Sequence, residues 1–329
     1  MRITLVVPGL LSLPTDALAR DPALSRMAAL ASPSRERDVE SAVLADIPLD
    51  AASAPLAALG AGVDVGARWV ARADPVSLVV GRDDARIDDI VLDLADRERE
   101  MLLALLDAHF ADDGVWFAAP RADAWFALTD APQSVSGVSA EIALGVSLRE
   151  LLPFGADAGR WRRFVTETQM LLHEHPLAAR TRPVTSLWIS GGGVLPARRG
   201  APNLRAYATA GRDGDLLRGV ASVLGGEALA VPATLREGFD VSKSEGLTIV
   251  ALARVAQARE LASLGVDFVV PALDALEGSR IDSLKLIASG NGGAASWTAR
   301  RGSWLERWRR RRSAFVVPPS DRASADRPR

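Results

Sequence analysis

Residues 173–196 read HEHPLAARTRPVTSLWISGGGVLP and combine a proline turn, a basic loop, an apolar run and three consecutive glycines. The apolar run at residues 185–190 predicts a buried strand. We expect the strand to stop on Gly191, Gly192 and Gly193, where the missing Cβ atoms let the backbone approach a ligand or another strand closely. Turns that follow strands in open α/β sheets are frequent ligand sites, so the glycines are a candidate site.

Basic residues flank this predicted strand. Arg180 and Arg182 precede it, and Arg198 and Arg199 follow the glycines. Guanidinium groups and free backbone N–H groups suit a phosphate or a carboxylate. The alternative is a solvated basic loop without a ligand, and the sequence leaves both interpretations open. Neither a Walker phosphate-binding loop nor a Rossmann dinucleotide fingerprint occurs, because the chain lacks both glycine patterns.

The three histidines are His109, His173 and His175. A spacing of two residues points His173 and His175 to different sides of a helix, and Pro176 moves His175 out of the helical region. A single histidine with scattered carboxylates does not make a metal site. We therefore expect the histidines to pack or to cap rather than to bind a metal.

Two acidic pairs are further candidates for chemistry. Asp213 and Asp215 stand before a helix predicted from Leu216, and Asp215 is most simply its N-cap. Asp274 and Glu277 are spaced to share one helix face. For both pairs, a capping or solvated role is the interpretation that we favour over catalysis.

A late segment, residues 297–312, interleaves Trp297, Trp304 and Trp308 with arginines. Such a pattern is able to stack on bases or to lie at a lipid interface. The run is short and the rest of the chain is net acidic, so we do not expect nucleic-acid binding. We expect a docked terminal segment with its tryptophans inward and its arginines outward.

Composition excludes several classes of protein. The 329 residues carry a net charge of −2, which gives no overall attraction to nucleic acid or membrane. Cysteine is absent, so disulfides, zinc–thiolate sites and iron–sulfur clusters are excluded, and a cytoplasmic location is expected. No apolar stretch reaches the roughly 18 residues of a membrane span. Pro8 interrupts the first apolar run, which favours a strand over a signal peptide.

Short apolar runs alternate with helical patterns along the chain. Residues 94–110 and 157–172 predict amphipathic helices, and residues 255–264 predict a helix that Gly265 closes. This alternation predicts an α/β fold of three layers, α/β/α, with a largely parallel sheet and helices on both faces. The predicted strands are residues 3–7, 76–80, 115–118, 125–128, 185–190, 228–231, 247–252, 268–271, 284–288 and 314–317.

Turn-forming residues at 132–140 predict a boundary within the chain. The expected division is an N-terminal α/β part, residues 1–135, and a C-terminal α/β part, residues 136–317, that carries the His-Pro, Trp and glycine pattern. Residues 318–329 are polar and proline-rich, which predicts a disordered tail.

The run TQMLLHEHPLAARTRPVTSLWISGGGVLP resembles a signature of the cofactor-independent phosphoglycerate mutases of archaeal type. In that family, a His-Pro segment and a basic loop lead to a Trp-bearing strand and a glycine-rich turn that ends in proline. The opening MRITLVVPGLLSLP, the early ADPVSL and the late Trp/Arg-rich segment look like a shortened bacterial branch, the RpfE-type regulatory proteins. The matching positions of the signature are His175, Pro176, Arg180, Trp188, Gly191, Gly193 and Pro196.

This resemblance implies a reduced alkaline-phosphatase-like fold. Active members hold two divalent metals through Asp and His ligands and use a serine nucleophile. In this chain, the first strand runs into Pro8 and Gly9 where the family has a metal-binding Asp, and no histidine follows His175. A two-metal phosphoryl-transfer site needs more ligands than these.

We therefore expect a non-catalytic protein, without a metal or other cofactor, that binds an anionic small molecule or a protein partner in a regulatory role. The alternative is a metal-dependent phosphoglycerate mutase or phosphohydrolase that uses Mn²⁺ or Zn²⁺. The expected ligand-binding residues are His175, Arg180, Arg182, Trp188, Gly191, Gly192 and Gly193.

Overall fold

The computed structural model describes residues 1–81, 84–198, 200, 203–238, 246–290, 293–302, 315 and 317–318. The chain forms two compact units that interleave in sequence. Unit 1 contains Met1–Ile47, Gly200–Thr209 and Leu224–Arg329, and unit 2 contains Pro48–Arg199 and Ala210–Val223. This division differs from the predicted boundary after residue 135, because strands from both ends of the chain build one sheet of unit 1.

The described residues form strands and helices of ordinary length. The strands are β1 (Arg2–Val7), β2 (Ala31–Glu36), β3 (Trp69–Val80), β4 (Ala85–Ile90), β5 (Trp116–Arg121), β6 (Ala124–Thr129), β7 (Ser186–Val194), β8 (Leu204–Ala208), β9 (Glu227–Leu229), β10 (Leu247–Ala251), β11 (Ser283–Gly290) and β12 (Gly293–Arg300). The helices are α1 (Thr15–Arg20), α2 (Pro22–Leu30), α3 (Val39–Leu44), α4 (Ser53–Gly60), α5 (Asp96–Phe110), α6 (Ala140–Ala143), α7 (Leu148–Leu151), α8 (Ala158–His173), α9 (Arg212–Leu224), α10 (Leu235–Gly238), α11 (Glu260–Leu264) and α12 (Val270–Glu277). Within the described ranges, no helix has both the length and the apolar character needed to cross a membrane.

Unit 1 is built on a seven-stranded sheet in the order β2-β12-β11-β1-β10-β8-β9. From β11 to β9 each neighbouring pair is parallel. The β12 and β2 strands then pair antiparallel at one edge. The central β1 strand is buried at every position after Arg2, as its β-branched and apolar residues predict. The mostly parallel sheet is therefore confirmed, with an antiparallel edge in addition.

One predicted strand of unit 1 is wrong, because residues 268–271 are helical. The chain runs from α11 through a π-helical turn, Gly265–Val269, directly into α12, so Gly265 does not end a helix. Pro271 lies in the first turn of α12, directly after the π-helical turn. Buried Val269, Leu273 and Leu276 recur at helical spacings of four and three residues, and their burial overrides the strand preference of the β-branched run.

Unit 2 is built on an antiparallel five-stranded sheet that the sequence did not predict. The long β3 strand is its axis. On one side β3 pairs with β7, and on the other side it pairs with β6 through its first residues and with β4 through its last residues. Residues 69–76 of β3 are all buried, because β7 pairs along this stretch, β6 and β4 pair at its two ends, and side chains cover both faces.

Helices α5 and α8 cover one face of this sheet, and both were predicted from their apolar periodicity. Trp161 and Phe164 of α8 pack against each other, and Trp161 also packs against Trp69 of β3 at a ring-centroid distance of 5.1 Å. The predicted cap of α8, Asp157, stands at its N-cap, but its carboxylate accepts from the backbone N–H of Ser134 at 2.6 Å. The predicted strand pair at residues 115–128 is the β5–β6 hairpin.

Candidate functional site

The β7 strand continues through all three glycines. It pairs antiparallel with β3, and the register slips between Val70 and Arg72, opposite the glycines. Gly191 has a φ of 65°, in the left-handed region that favours glycine. The predicted turn is therefore wrong, and the glycines form a β-bulge inside an antiparallel sheet. Local sequence indicates that glycine is required here but does not distinguish a bulge from a turn.

The space beside the glycines is filled by the protein itself. A Cβ atom at Gly192 would overlap the indole ring of Trp69, and one at Gly193 would overlap the Cβ atom of Ala52. A Cβ atom at Gly191 would lie 2.6 Å from the Oγ of Ser53. The groups that lie close to these glycines are thus side chains of β3 and of the start of α4.

The two arginines of the basic loop contact carboxylates of unit 2. The Nε of Arg180 lies 2.9 Å from Glu98. Arg182 donates to Asp89 at 2.5 Å, to Asp93 at 3.0 Å and to the carbonyl oxygen of Ile90 at 3.2 Å. The hydrogen bond that Arg182 donates to Asp89 lowers the pKa of Asp89 and raises the pKa of Arg182. An anionic ligand would have to compete with these internal carboxylates.

His175 and Trp188 also make internal hydrogen bonds. The Nδ1 of His175 accepts from the backbone N–H of Leu177 at 3.3 Å and caps the 3-10 turn Pro176–Ala179, so the capping role predicted for His175 is confirmed. The buried indole of Trp188 donates to the carbonyl oxygen of Val138 at 2.8 Å.

The seven predicted site residues are therefore distributed over separate internal contacts. The glycines contact Trp69, Ala52 and Ser53, whereas the arginines contact β4 and α5. Their proposed role in ligand binding stays a prediction, and their contacts favour a structural role.

A buried network of ion pairs in unit 2 joins β3, the β5–β6 hairpin, α6 and α9. Its centre is Arg212, the first residue of α9, which donates to the two carboxylate oxygens of Asp74 at 2.5 and 2.9 Å and to Glu141 at 2.9 Å. Asp74 is completely buried in the middle of β3. A carboxylate without water needs such a bidentate partner. We call this set, together with Arg121, Asp123, Asp215 and Arg218, the buried ion-pair network.

Asp123 and Asp215 extend the buried ion-pair network. Asp123 accepts from the backbone N–H of Arg212 at 2.9 Å and from Nε of Arg121 at 3.0 Å. Asp215 is fully buried and accepts from Arg121 at 2.6 Å and from Arg218. The N-cap predicted for Asp215 is wrong, because α9 begins at Arg212 and Asp215 lies inside its first turn.

Sequence reasoning missed most of this network. Asp74 and Arg212 are 138 positions apart, so no local pattern connects them. A signal was present, however, because Asp74 interrupts the apolar strand ADPVSLVV. An aspartate inside a buried strand requires a cationic partner.

The electrostatics of Glu141 follow from its neighbours. Burial alone would raise the pKa of its carboxyl group, but the charge of Arg212, assisted by Arg72, lowers that pKa to about 2. Glu141 is therefore ionised in the folded protein at neutral and mildly acidic pH.

The described carboxylates do not fit the two-metal site that the resemblance implies. In this part of the chain, no group of three or more His, Asp and Glu side chains is placed to hold a metal ion. Asp215 accepts from arginines, and Asp274 does so too, from Arg26 at 2.9 Å and from Arg236 at 3.4 Å. Asp274 and Glu277 share the Arg26 guanidinium, as their helical spacing predicts.

The late Trp/Arg-rich segment is described only at its start. Trp297 lies in β12, is buried, and stacks on Phe315 at a centroid distance of 4.4 Å, as an inward tryptophan should. Arg300 and Arg301 are exposed. The predicted docking of residues 303–312, most of the predicted strand 314–317 and the predicted disorder of residues 319–329 lie outside the described residues.

No family model and no curated protein matches the chain. Two solved structures are similar to it over most of their length. The cofactor-independent phosphoglycerate mutase from Thermoplasma acidophilum shares 15% identity at a TM-score of 0.43, covering 92% of this chain and 90% of that chain. The PH0037 protein from Pyrococcus horikoshii shares 13% identity at a TM-score of 0.45, covering 93% of this chain and 92% of that chain. Because both TM-scores lie below 0.5, neither similarity assigns a function to this chain.

The glycine bulge predicts an unequal response to two alanine substitutions. Gly192→Ala should lower the free energy of unfolding by about 1–3 kcal/mol, because the buried Trp69 indole has no room to move. Gly159→Ala, at an open position of α8, should keep that free energy or raise it by up to about 1 kcal/mol. Urea unfolding of both variants measures the difference, and equal effects would contradict the bulge.

The buried ion-pair network predicts a large loss for Arg212→Ala. Removing the guanidinium leaves the carboxylate of Asp74 buried without its bidentate partner, which should cost about 3–5 kcal/mol of unfolding free energy. Arg163→Ala is the matched control, because its exposed pair with Glu167 is worth about 1 kcal/mol or less. Denaturant unfolding that shows similar losses for both variants would refute the structural role of Arg212.

The lowered pKa of Glu141 predicts that the free energy of unfolding falls as the pH is lowered. Its folded pKa of about 2 lies below the ordinary value of 4.5, so its contribution to stability is complete above about pH 4.5 and is lost as the pH falls toward 2. The difference in unfolding free energy between the natural protein and Glu141→Gln should therefore shrink over that window. Urea unfolding at several pH values measures it, and a difference that does not change with pH would contradict the assignment.

Proposed function

We propose that this protein is a non-catalytic, phosphoglycerate mutase-like protein with a regulatory or ligand-binding role. The resemblance of residues 168–196 to the mutase signature supports the kinship. The observation that carries the loss of catalysis is that the signature residues make internal contacts: the glycines pack on Trp69 and α4, and Arg182 pairs with Asp89.

A metal-dependent phosphomutase needs ligands that converge on its metals. Asp215 and Asp274 were the carboxylates considered for that role, and both are occupied by arginines. His175 uses one ring nitrogen to cap a turn. The internal partners of these groups support a non-catalytic protein over a phosphotransferase.

We also propose where the protein is located and what it binds. The absence of cysteine fits a reducing compartment, and we place the protein in the cytoplasm. The expected partner is an anionic small molecule, with a protein partner as the alternative.

Turnover measurements test the loss of catalysis. The full chain, supplied with Mn²⁺, Zn²⁺ or Mg²⁺, should neither interconvert 2- and 3-phosphoglycerate nor hydrolyse p-nitrophenyl phosphate, while an active mutase in the same assay shows turnover. Elemental analysis should find no stoichiometric metal.

Turnover that a chelator abolishes would overturn the proposal, above all if Asp215→Asn or Asp274→Asn also removed it. The metal-dependent phosphoglycerate mutase or phosphohydrolase, with Mn²⁺ or Zn²⁺, would then be the correct interpretation.

A further inference from the structure

Unit 1 contains a cleft of about 410 Å³ that is formed by the end of α2, by β2, by the end of β12 and by the end of α12. A volume of this size accommodates a small molecule. Its apolar walls include Leu30 and Leu276. The polar and charged groups that line this unit 1 cleft are Ser32, Glu277, Ser279, Thr298, Arg300 and Arg301.

Positive charge exceeds negative charge in the unit 1 cleft. Arg300 is exposed and pairs with no carboxylate of the described residues. The nearest carboxylate to Arg301 is Asp282, at 3.7 Å, and Asp282 already accepts from the N-terminal ammonium at 2.6 Å. Glu277 contributes the opposing charge, but it is neutralised by Arg26 at 2.8 Å. The guanidinium group of Arg300 is thus left to attract an anion, and Arg301 adds a second guanidinium group whose contact with Asp282 is long.

Ser279 also lies at this cleft. Its φ of 60° makes it the one non-glycine residue in the left-handed region among those that the structure describes. This conformation closes α12, because the backbone N–H groups of Ser279 and Arg280 donate to the carbonyl oxygens of Leu276 and Ala275 at 3.1 and 2.8 Å. Glycine would adopt the same conformation without strain. The hydroxyl group of Ser279 lines the cleft and supplies a hydrogen-bond donor.

We propose that the unit 1 cleft binds a small organic phosphate. Arg300 and Arg301 would hold the phosphate through charge-assisted hydrogen bonds, to which the planar guanidinium group is well suited. The hydroxyl groups of Ser279 and Thr298 would complete the contacts to its oxygens. This inference rests on the proposed binding role and not on the loss of catalysis. The binding measurement therefore tests this inference, and the turnover measurement tests the loss of catalysis independently.

Calorimetric titration of the full chain with glycerol 3-phosphate tests the inference. Arg300→Gln and Arg301→Gln should each weaken binding about tenfold or more, as expected for a lost charge-assisted contact. Arg20→Gln is the matched control, because Arg20 is an exposed arginine of the same unit outside the cleft, and it should bind as the natural protein does.

Substitutions of Ser279 separate a functional role from a structural one. Ser279→Gly should raise the melting temperature, because glycine relieves the backbone strain, and should weaken binding several-fold because the hydroxyl group is lost. Ser279→Ala should weaken binding similarly without raising the melting temperature. Binding that Ser279→Gly and Ser279→Ala leave unchanged would remove the serine from the site.

Three results would overturn the inference. The first is absence of binding at millimolar glycerol 3-phosphate. The second is equal affinity for inorganic phosphate, which would exclude recognition of the organic part. The third is a loss of binding confined to substitution of the four arginines at residues 309–312 by serine, with Arg300→Gln and Arg301→Gln unaffected.

Discussion

The antiparallel pairing of β7 with β3 is the constraint on which unit 2 depends. On its other edge β3 pairs with β6 through residues 69–72 and with β4 through residues 76–80. Asp74 lies between these two pairings, where β7 flanks one edge and the surrounding chain buries the side chains. Alternation along the strand then turns Trp69, Ala71 and Ala73 toward the aromatic cluster under α8, while Arg72 and Asp74 lie on the other face. Asp74 is thereby excluded from water, and the bidentate pairing by Arg212 follows from that exclusion.

The same pairing explains the three glycines. The bulge opposite Val70 and Arg72 brings Gly192 against the indole of Trp69, which also packs on Trp161. A ligand is not needed to account for the absence of side chains there. The glycine-rich sequence is equally well explained by the need to bring β7, β3 and α4 together.

Local sequence patterns correctly predicted helices and strands whose type follows from their own periodicity. The apolar run of β1 and the amphipathic periodicity of α5 and α8 predicted each element correctly. Pairing direction was not available from these patterns, so the antiparallel sheet of unit 2 was missed. The helix at residues 268–271 was missed because its β-branched residues favour a strand when burial is not known. In the candidate site, periodicity and spacing identified Asp274 and Glu277 as helical neighbours, whereas the 138-residue separation of Asp74 and Arg212 left no local signal of their pairing.

Two sets of arginines differ in their surroundings. Arg180 and Arg182 are engaged by acidic residues of the same unit, whereas Arg300 and Arg301 line a cleft whose only lining carboxylate in the described part of the chain, that of Glu277, is neutralised by Arg26. The central claim is that the glycine-bearing strand holds the fold and that ligand binding occurs elsewhere. Hydrogen–deuterium exchange with and without glycerol 3-phosphate tests it most directly. Residues 186–194 should be strongly protected from exchange with or without the phosphate, while residues 276–282 and 298–302 should gain protection when the phosphate is added. Fast exchange at residues 186–194, or protection gained there on adding the phosphate, would contradict it.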